Sequence, residues 1–441
     1  MPSLNIQPED YGLLTDLYQL TMSASYLGEG LDTQIASFEL FVRRLPENYG
    51  YLIAMGLEQV LDYLEQLSFG SEQLQALRDT GIFAQAPAQF WDTLAVGKFT
   101  GEVWAVPEGT AVFAQEPILR VEAPLWQAQL AETYLLNTIN YQTLIATKAA
   151  RMRDMAGPEA KLFEFGTRRA FSPQGALWAA RAALAAGMDG TSNVLAAVRL
   201  GEKPVGTIAH ALIMAFKAQN GSEMAAFEAF HRYFPGAPLL IDTYDPIAAA
   251  RMLAEYPQPL GGVRIDSGDL AELAGQIQSI LPEIPIFASG DLDEWAIAKL
   301  SQTPIQGYGI GTKLVTGTPV NGVYKLVEIN GTPVMKESSG KTTYPGRKQI
   351  FRHSCRGQVS HDVLELVDCP SDGQPLLELA MHQGSRCQPP ASLNDIRQRT
   401  AMSLASLDPA IRHLNSDRSL SVMIGQNLQE LTARIATTKQ G

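Results

Sequence analysis

The sequence predicts an α/β protein whose centre is an incomplete parallel barrel, preceded by an α+β unit and followed by a less regular C-terminal region. Three observations carry this. Short apolar runs recur between residues 161 and 310, each followed by a polar or glycine-rich loop and a helical stretch. The stretch before residue 125 has a different rhythm, mixing helices with short alternating strands. Composition permits both: 46% of residues are hydrophobic and 18% charged, enough apolar side chain for large cores and too little charge for global disorder. At 441 residues, two or three domains are expected. We place them at 1–124, 125–350 and 351–441.

In chain order, Leu13–Leu27 reads as a helix with Thr15 and Asp16 as start signals. Ile35–Val42 alternates and reads as a strand; Tyr51–Leu67 reads as an amphipathic helix. Glu102–Val106, Ala111–Phe113 and Ile118–Glu122 are β-like runs punctuated by Pro107, Gly109 and Pro117. Leu125 to about Met155 is helical, with a break expected near Asn140.

The barrel runs are Lys161–Glu164, Gly187–Gly190, Val205–Gly206, Leu239–Asp242, Val263–Asp266, Ile286–Ser289 and Gln306–Ile310. Seven candidates, two of them weak, fall short of a closed eight-fold barrel. Val323–Met335 reads as a hairpin turning at Asn330-Gly331. A basic loop follows, with Lys336, Lys341, Arg347, Lys348 and Arg352. The chain ends in a helix from about Gly425 to Ile435.

Charge and composition exclude several classes. A formal charge of -12 disfavours general nucleic-acid binding, although a local basic pocket can still take an anionic small molecule. Cys355, Cys369 and Cys387 form no CxxC, so neither a disulfide framework nor zinc is expected. The N-terminus has no signal-peptide pattern and no apolar run is long enough to span a bilayer. A reduced cytoplasm is the default location.

Several stretches carry chemistry. In Pro204–Ile213, Thr207 reads as a helix N-cap, placing His210 in the first turn, where unpaired N–H groups favour an anion. His210 is then either a phosphoryl acceptor or a histidine satisfied by backbone groups. In Gly262–Leu270, period two sets Val263 and Ile265 on one face and Arg264 and Asp266 on the other, toward the barrel centre. An inward charged pair is costly unless partnered or used. Asp266 and Asp269 can bind sugar hydroxyls or magnesium, or the turn is an ordinary one with an Asp N-cap.

Ser289-Gly290-Asp291 and Gly307–Lys313 end the next two strands, and the second is either a phosphate grip or simply a tight glycine turn. Its GxGxG spacing does not meet the dinucleotide fingerprint. In Glu164–Arg169, adjacent arginines either clamp a phosphate or carboxylate or form surface ion pairs. Ser338–Thr342 imitates half of a P-loop, but Met335 replaces the first glycine and Tyr344-Pro345-Gly346 blocks the helix that should follow.

Taken together, these stretches resemble nicotinate phosphoribosyltransferase. The resemblance runs through Thr15–Met22, Phe165–Ala170, Gly190–Val194, Gly206–Ala211, Val263–Asp269 and Gly309–Thr312, in that order, over about residues 10 to 350. It implies a type II phosphoribosyltransferase: an α/β fold with an N-terminal α/β sandwich-like domain, an irregular α/β barrel and a C-terminal extension. The implied reaction joins nicotinate to 5-phosphoribosyl 1-diphosphate (PRPP), with ATP hydrolysis coupled through a phosphohistidine and Mg2+ serving PRPP and ATP. A homodimer with sites near the subunit interface is implied as well.

The resemblance makes His210 the phosphohistidine. The expected catalytic groups are His210, Arg264 and Asp266. Tyr18, Thr207, Arg264 and Arg168 would contact nicotinate. Thr312, Gly311, Gly290, Asp269 and Ser267 would contact PRPP, and Asp266 and Asp291 would hold the metal. Three other readings compete: a nicotinamide-using relative, a sugar-phosphate barrel isomerase or aldolase with Lys313 as Schiff-base lysine, and a nucleotide-binding regulator without turnover.

Overall fold

The structure, a computed structural model, describes residues 4–336, 343–369, 371–416 and 418–438. The P-loop imitation Ser338–Thr342 lies outside the described residues. The chain folds as two compact units, one made of Met1–Leu144 and Pro319–Gly441, the other of Ile145–Thr318. The C-terminal residues thus share a unit with the first 144 rather than forming a third consecutive segment.

The described residues of the first unit build a seven-stranded antiparallel sheet. Its order is Thr332–Pro333, Gly322–Ile329, Ile35–Val42, Pro117–Pro124, Glu102–Ala105, Glu378–His382 and Ser385–Arg386. Ile35–Val42 forms over the expected residues, but all of it after Ile35 is buried, so the strand is covered on both faces. Its carboxylate, Glu39, therefore needs a buried partner and has Lys348 at 2.8 Å. A second sheet joins Gln374–Pro375, Lys348–Cys355, Gln358–Leu366 and Val422–Ile424.

Three expectations are corrected in this unit. Tyr51–Leu67 is not one helix: Leu52–Ile53 is a strand, and Gly56, at φ +105, separates it from the helix Leu57–Gln66. The helix Glu132–Ala156 runs unbroken through Asn140, whose Oδ1 instead accepts from the Gly322 N–H at 3.1 Å. In the basic loop Lys341 lies outside the described residues, and three of the other four cations are structural, Lys348 through its pairing with Glu39. Arg352 pairs with Asp362 at 2.6 Å, and Arg347 reaches Glu122, Glu328 and Asp368. The hairpin turn at Asn330-Gly331 holds, with both residues at positive φ.

The second unit is organised on six parallel strands in the order Gly190–Thr191, Lys161–Glu164, Ile305–Ile310, Ile286–Gly290, Val263–Ile265 and Leu239–Leu240. This is an open, half-barrel sheet in a mixed α/β protein. Six of the seven expected runs become strands. The exception, Val205–Gly206, only touches the edge: the Val205 N–H donates to the Thr191 carbonyl at 2.9 Å, and the Val205 side chain fills the space a Cβ on Gly190 would need. One face of the sheet is closed by Val263, Ile265, Ile286, Ala288 and Ile310, all buried. Each large aliphatic removed from water there stabilises the unit by about 1.5–3 kcal/mol.

Candidate functional site

Arg264 is the centre of the site. Val263 and Ile265 are buried on one face of their strand, which leaves Arg264 on the other. Its side chain is only 14% exposed. Nη1 donates to Ser289 Oγ at 3.1 Å, and Nη2 donates to the Ile208 carbonyl at 2.9 Å. Asp266 Oδ1 lies 3.5 Å from Nη1. Nε is buried with no acceptor among the described residues. Burial pulls the guanidinium pKa below its ordinary value, Asp266 and Asp242 oppose this, and Arg168 adds to it. A buried N–H without an acceptor is costly, and an anionic ligand is the partner that would supply one.

Asp242, which the sequence did not single out, holds the turn after this strand. Its Oδ2 accepts from the Asp266 N–H at 2.7 Å and from the Ser267 hydroxyl at 2.8 Å. Asp266 Oδ1 in turn accepts from Ser289 Oγ at 2.5 Å. Asp269 caps the helix Leu270–Ile280, its Oδ1 taking the N–H groups of Ala271 and Glu272 at 3.1 Å. Gly290 sits at φ +122, where a Cβ would also approach the Asp266 carbonyl. Asp291 is exposed.

His210 is the first residue of the helix His210–Ala218. Thr207 is not its N-cap. The cap is Ala209, which has no side chain to close the first turn, and the Thr207 hydroxyl is turned to the Ile208 carbonyl at 3.2 Å. The first-turn N–H groups therefore have no side-chain cap and remain available to an anion. His210 Nδ1 is hydrogen-bonded to Thr243 Oγ1 at 3.1 Å. Nε2 has no protein partner among the described residues.

The glycines of Gly307–Gly311 divide between two jobs. Gly307 and Gly309 lie inside the strand Ile305–Ile310, on the face they share with Arg264, Phe287 and Ser289. A Cβ on Gly309 would meet the Phe165 ring at 2.6 Å, and one on Gly307 would meet the Phe287 ring at 2.6 Å. These two glycines make room for aromatic rings rather than for a phosphate, which corrects the expected grip. Only Gly311 precedes a helix start, the short turn Thr312–Val315. Phe165 thus adds an aromatic wall over Gly309, on the sheet face that Gly309 shares with Arg264 and Ser289.

Residues 13–140 match the nicotinate phosphoribosyltransferase (NAPRTase) N-terminal domain, and residues 160–360 match the nicotinate phosphoribosyltransferase (NAPRTase) family. A nicotinate phosphoribosyltransferase of Mycobacterium tuberculosis is 40% identical over 91% of this chain and 89% of its own length. The human enzyme of that name is 33% identical over 95% of each chain. The chain belongs to the nicotinate phosphoribosyltransferase family. The crystal structure of human nicotinic acid phosphoribosyltransferase superposes with a TM-score of 0.84 and 31% identity, over 96% of this chain and 99% of that one.

Among the other residues expected at a nicotinate phosphoribosyltransferase site, Tyr18 stands in the first unit, 47% exposed at the start of the helix Leu17–Gly28. Its hydroxyl donates to Glu132 Oε2 at 3.1 Å, and Gln19 Nε2 donates to the same oxygen at 2.9 Å. Burial, then the Glu132 charge, push the Tyr18 phenol up to about 12. Asp16 is tied to Thr133 by the same helix end, so Thr15–Gln19 is built as one docked element. In the second unit Arg168 and Lys313 are both exposed. An exposed Lys313 lacks the desolvated setting of a Schiff-base lysine.

Among the described residues, no group of three or more His, Cys, Asp or Glu side chains is arranged to hold a metal alone. Magnesium bound through substrate phosphates needs only one or two carboxylates. Asp266 fits this, since Ser289 and Arg264 engage only its Oδ1. No helix among the described residues is long and apolar enough to cross a membrane.

Proposed function

We propose that this chain joins nicotinate to C1 of the ribosyl group of PRPP, in salvage toward NAD. The pyridine nitrogen lone pair forms the new bond, the C1–O bond to diphosphate breaks, and its electron pair leaves with the diphosphate. The observation that carries this reading is the largely buried Arg264 with an unmatched Nε–H, on the sheet face that the Phe165 ring also covers. A flat aromatic acid satisfies both: its carboxylate takes the guanidinium and its ring takes the aromatic wall. Arg168 supplies a second cation nearby. Thr207 completes the base contacts in this unit, and Gly311, Thr312, Ser267, Asp269 and Gly290 take PRPP. The parallel sheet is the core of an irregular barrel.

His210 is the energy-coupling residue. Its Nε2 attacks the γ-phosphorus of ATP, ADP leaves, and the phosphohistidine is later hydrolysed by water to return phosphate. Thr243, hydrogen-bonded to Nδ1, fixes the ring so that Nε2 is presented. No strong general base is needed, because the nucleophile of bond formation is the pyridine itself. Magnesium, held by Asp266 and Asp291, would stabilise negative charge on the leaving diphosphate. The active form is a cytoplasmic homodimer.

The test is an assay with nicotinate, PRPP, magnesium and ATP, each omitted in turn. Nicotinate mononucleotide should require nicotinate and PRPP, with ADP forming alongside. Consumption of nicotinamide and not nicotinate would overturn the proposal in favour of the amide-using relative.

A further inference from the structure

Two stretches set apart by their sequence, Glu164–Arg169 and Gly190–Val194, are bonded to each other. Glu164 is 1% exposed. One carboxylate oxygen accepts from the Gly166 N–H, and the other accepts from the Thr191 hydroxyl at 2.5 Å. Thr191 Oγ1 also accepts from the Asn193 N–H at 2.9 Å. Among the described residues no cation pairs with Glu164. Burial raises its pKa, and the two hydrogen bonds oppose that rise. A buried carboxylate without a countercharge is a poor choice for stability alone, since a neutral amide would fill the same space at less cost.

What the carboxylate joins is the site itself. On one side, Gly166 follows Phe165, whose ring lies over Gly309, and precedes Arg168. A Cβ on Gly166 would strike Val315 at 2.3 Å, so this loop also presses on the turn Thr312–Val315. On the other side, the Thr191 carbonyl holds the Val205 N–H at 2.9 Å, and from Val205 the chain runs through Ile208 to His210. The Ile208 carbonyl returns to Arg264.

We propose that Glu164 is a positioning residue: through Gly166 and Thr191 it holds the base-binding loop and the segment leading to His210 in one fixed register. The inference rests on the proposed function for its kinetic readout. Glu164 touches no reacting atom; its effect is that occupancy of the base pocket and phosphorylation of His210 act on one joined structure.

The test compares Glu164→Gln, Thr191→Val and Thr191→Ser with the parent enzyme, measuring both substrate KM values and ADP formed per nicotinate mononucleotide. Glu164→Gln and Thr191→Val should raise the nicotinate KM about tenfold and the ADP-to-product ratio at least about threefold, with the PRPP KM changed less than about twofold. Thr191→Ser, which keeps the hydroxyl, should restore parent values. Unchanged KM and ratio in the first two variants, or a Thr191→Ser that behaves like Thr191→Val, overturns the proposal. If the parent makes no nicotinate mononucleotide, the proposed reaction fails instead. The positioning role is then decided by amide hydrogen exchange in Thr191→Val. Faster exchange in both 166–169 and 205–210 supports it; no change in either overturns it.

Discussion

Arg264 donates from Nη2 to the carbonyl of Ile208 at 2.9 Å, two residues before His210. One guanidinium therefore serves the proposed base pocket and anchors the approach to the proposed phosphoryl acceptor. Arg264→Ala should raise the nicotinate KM more than the PRPP KM. Loss of a charge-assisted contact of about 2 kcal/mol corresponds to roughly 30-fold. Steady-state kinetics with each substrate varied decides it. Equal effects on both KM values would make Arg264 purely structural.

His210→Ala should abolish ATP hydrolysis while leaving slow product formation driven by PRPP, at roughly a tenth of the parent rate or less. ADP release and nicotinate mononucleotide are followed in the same reaction. ATP hydrolysis at the parent rate in this variant would remove His210 from the coupling role.

Gly309→Ala should act on the base pocket through the Phe165 ring. The new Cβ would stand 2.6 Å from two ring carbons, so the ring must move. Overpacking of this kind costs about 1–3 kcal/mol, and here the strain falls on the aromatic wall. A nicotinate KM raised by roughly tenfold with an unchanged PRPP KM is expected. A higher PRPP KM alone would return Gly309 to phosphate binding.

Glu116 makes a pH prediction for the first unit. It is fully buried beside Asp362, which pairs with Arg352. Burial, and then the Asp362 charge, push the Glu116 carboxyl well above its ordinary value of 4.5. A raised pKa in the fold means that its contribution to stability is full below that ordinary value and is lost as pH rises toward the folded one. Glu116→Gln removes the loss. The melting midpoint of the variant should gain on the parent by about 2 °C or more between about pH 5 and about pH 8. A difference that stays flat with pH would mean that Glu116 does not titrate in this way.

The sequence was most readable where a single strand decides the geometry. Period two alone put Arg264 on the face away from Val263 and Ile265, and the Asp269 cap was among the readings of its turn. It was least readable where two distant stretches meet. Gly307 and Gly309 look like loop glycines until the register sets Phe287 beside Gly307 and places Phe165 over Gly309. Asp242 ends a run with a strand of only two residues, Leu239–Leu240, so nothing local marked it as the clamp of the Asp266 turn. The Tyr51–Leu67 helix failed because a left-handed Gly56 breaks a pattern that periodicity alone carries through.

The strand Ile35–Val42 pairs with Pro117–Pro124 on one side and with Gly322–Ile329 on the other. During synthesis the first neighbour is made early, but the second arrives only after residues 145–318 have left the ribosome. Until then one edge of a strongly apolar strand stands unpaired. A nascent chain stalled before residue 319 is therefore the form most exposed to edge-to-edge aggregation, and holding that edge is the task a chaperone would meet on this protein.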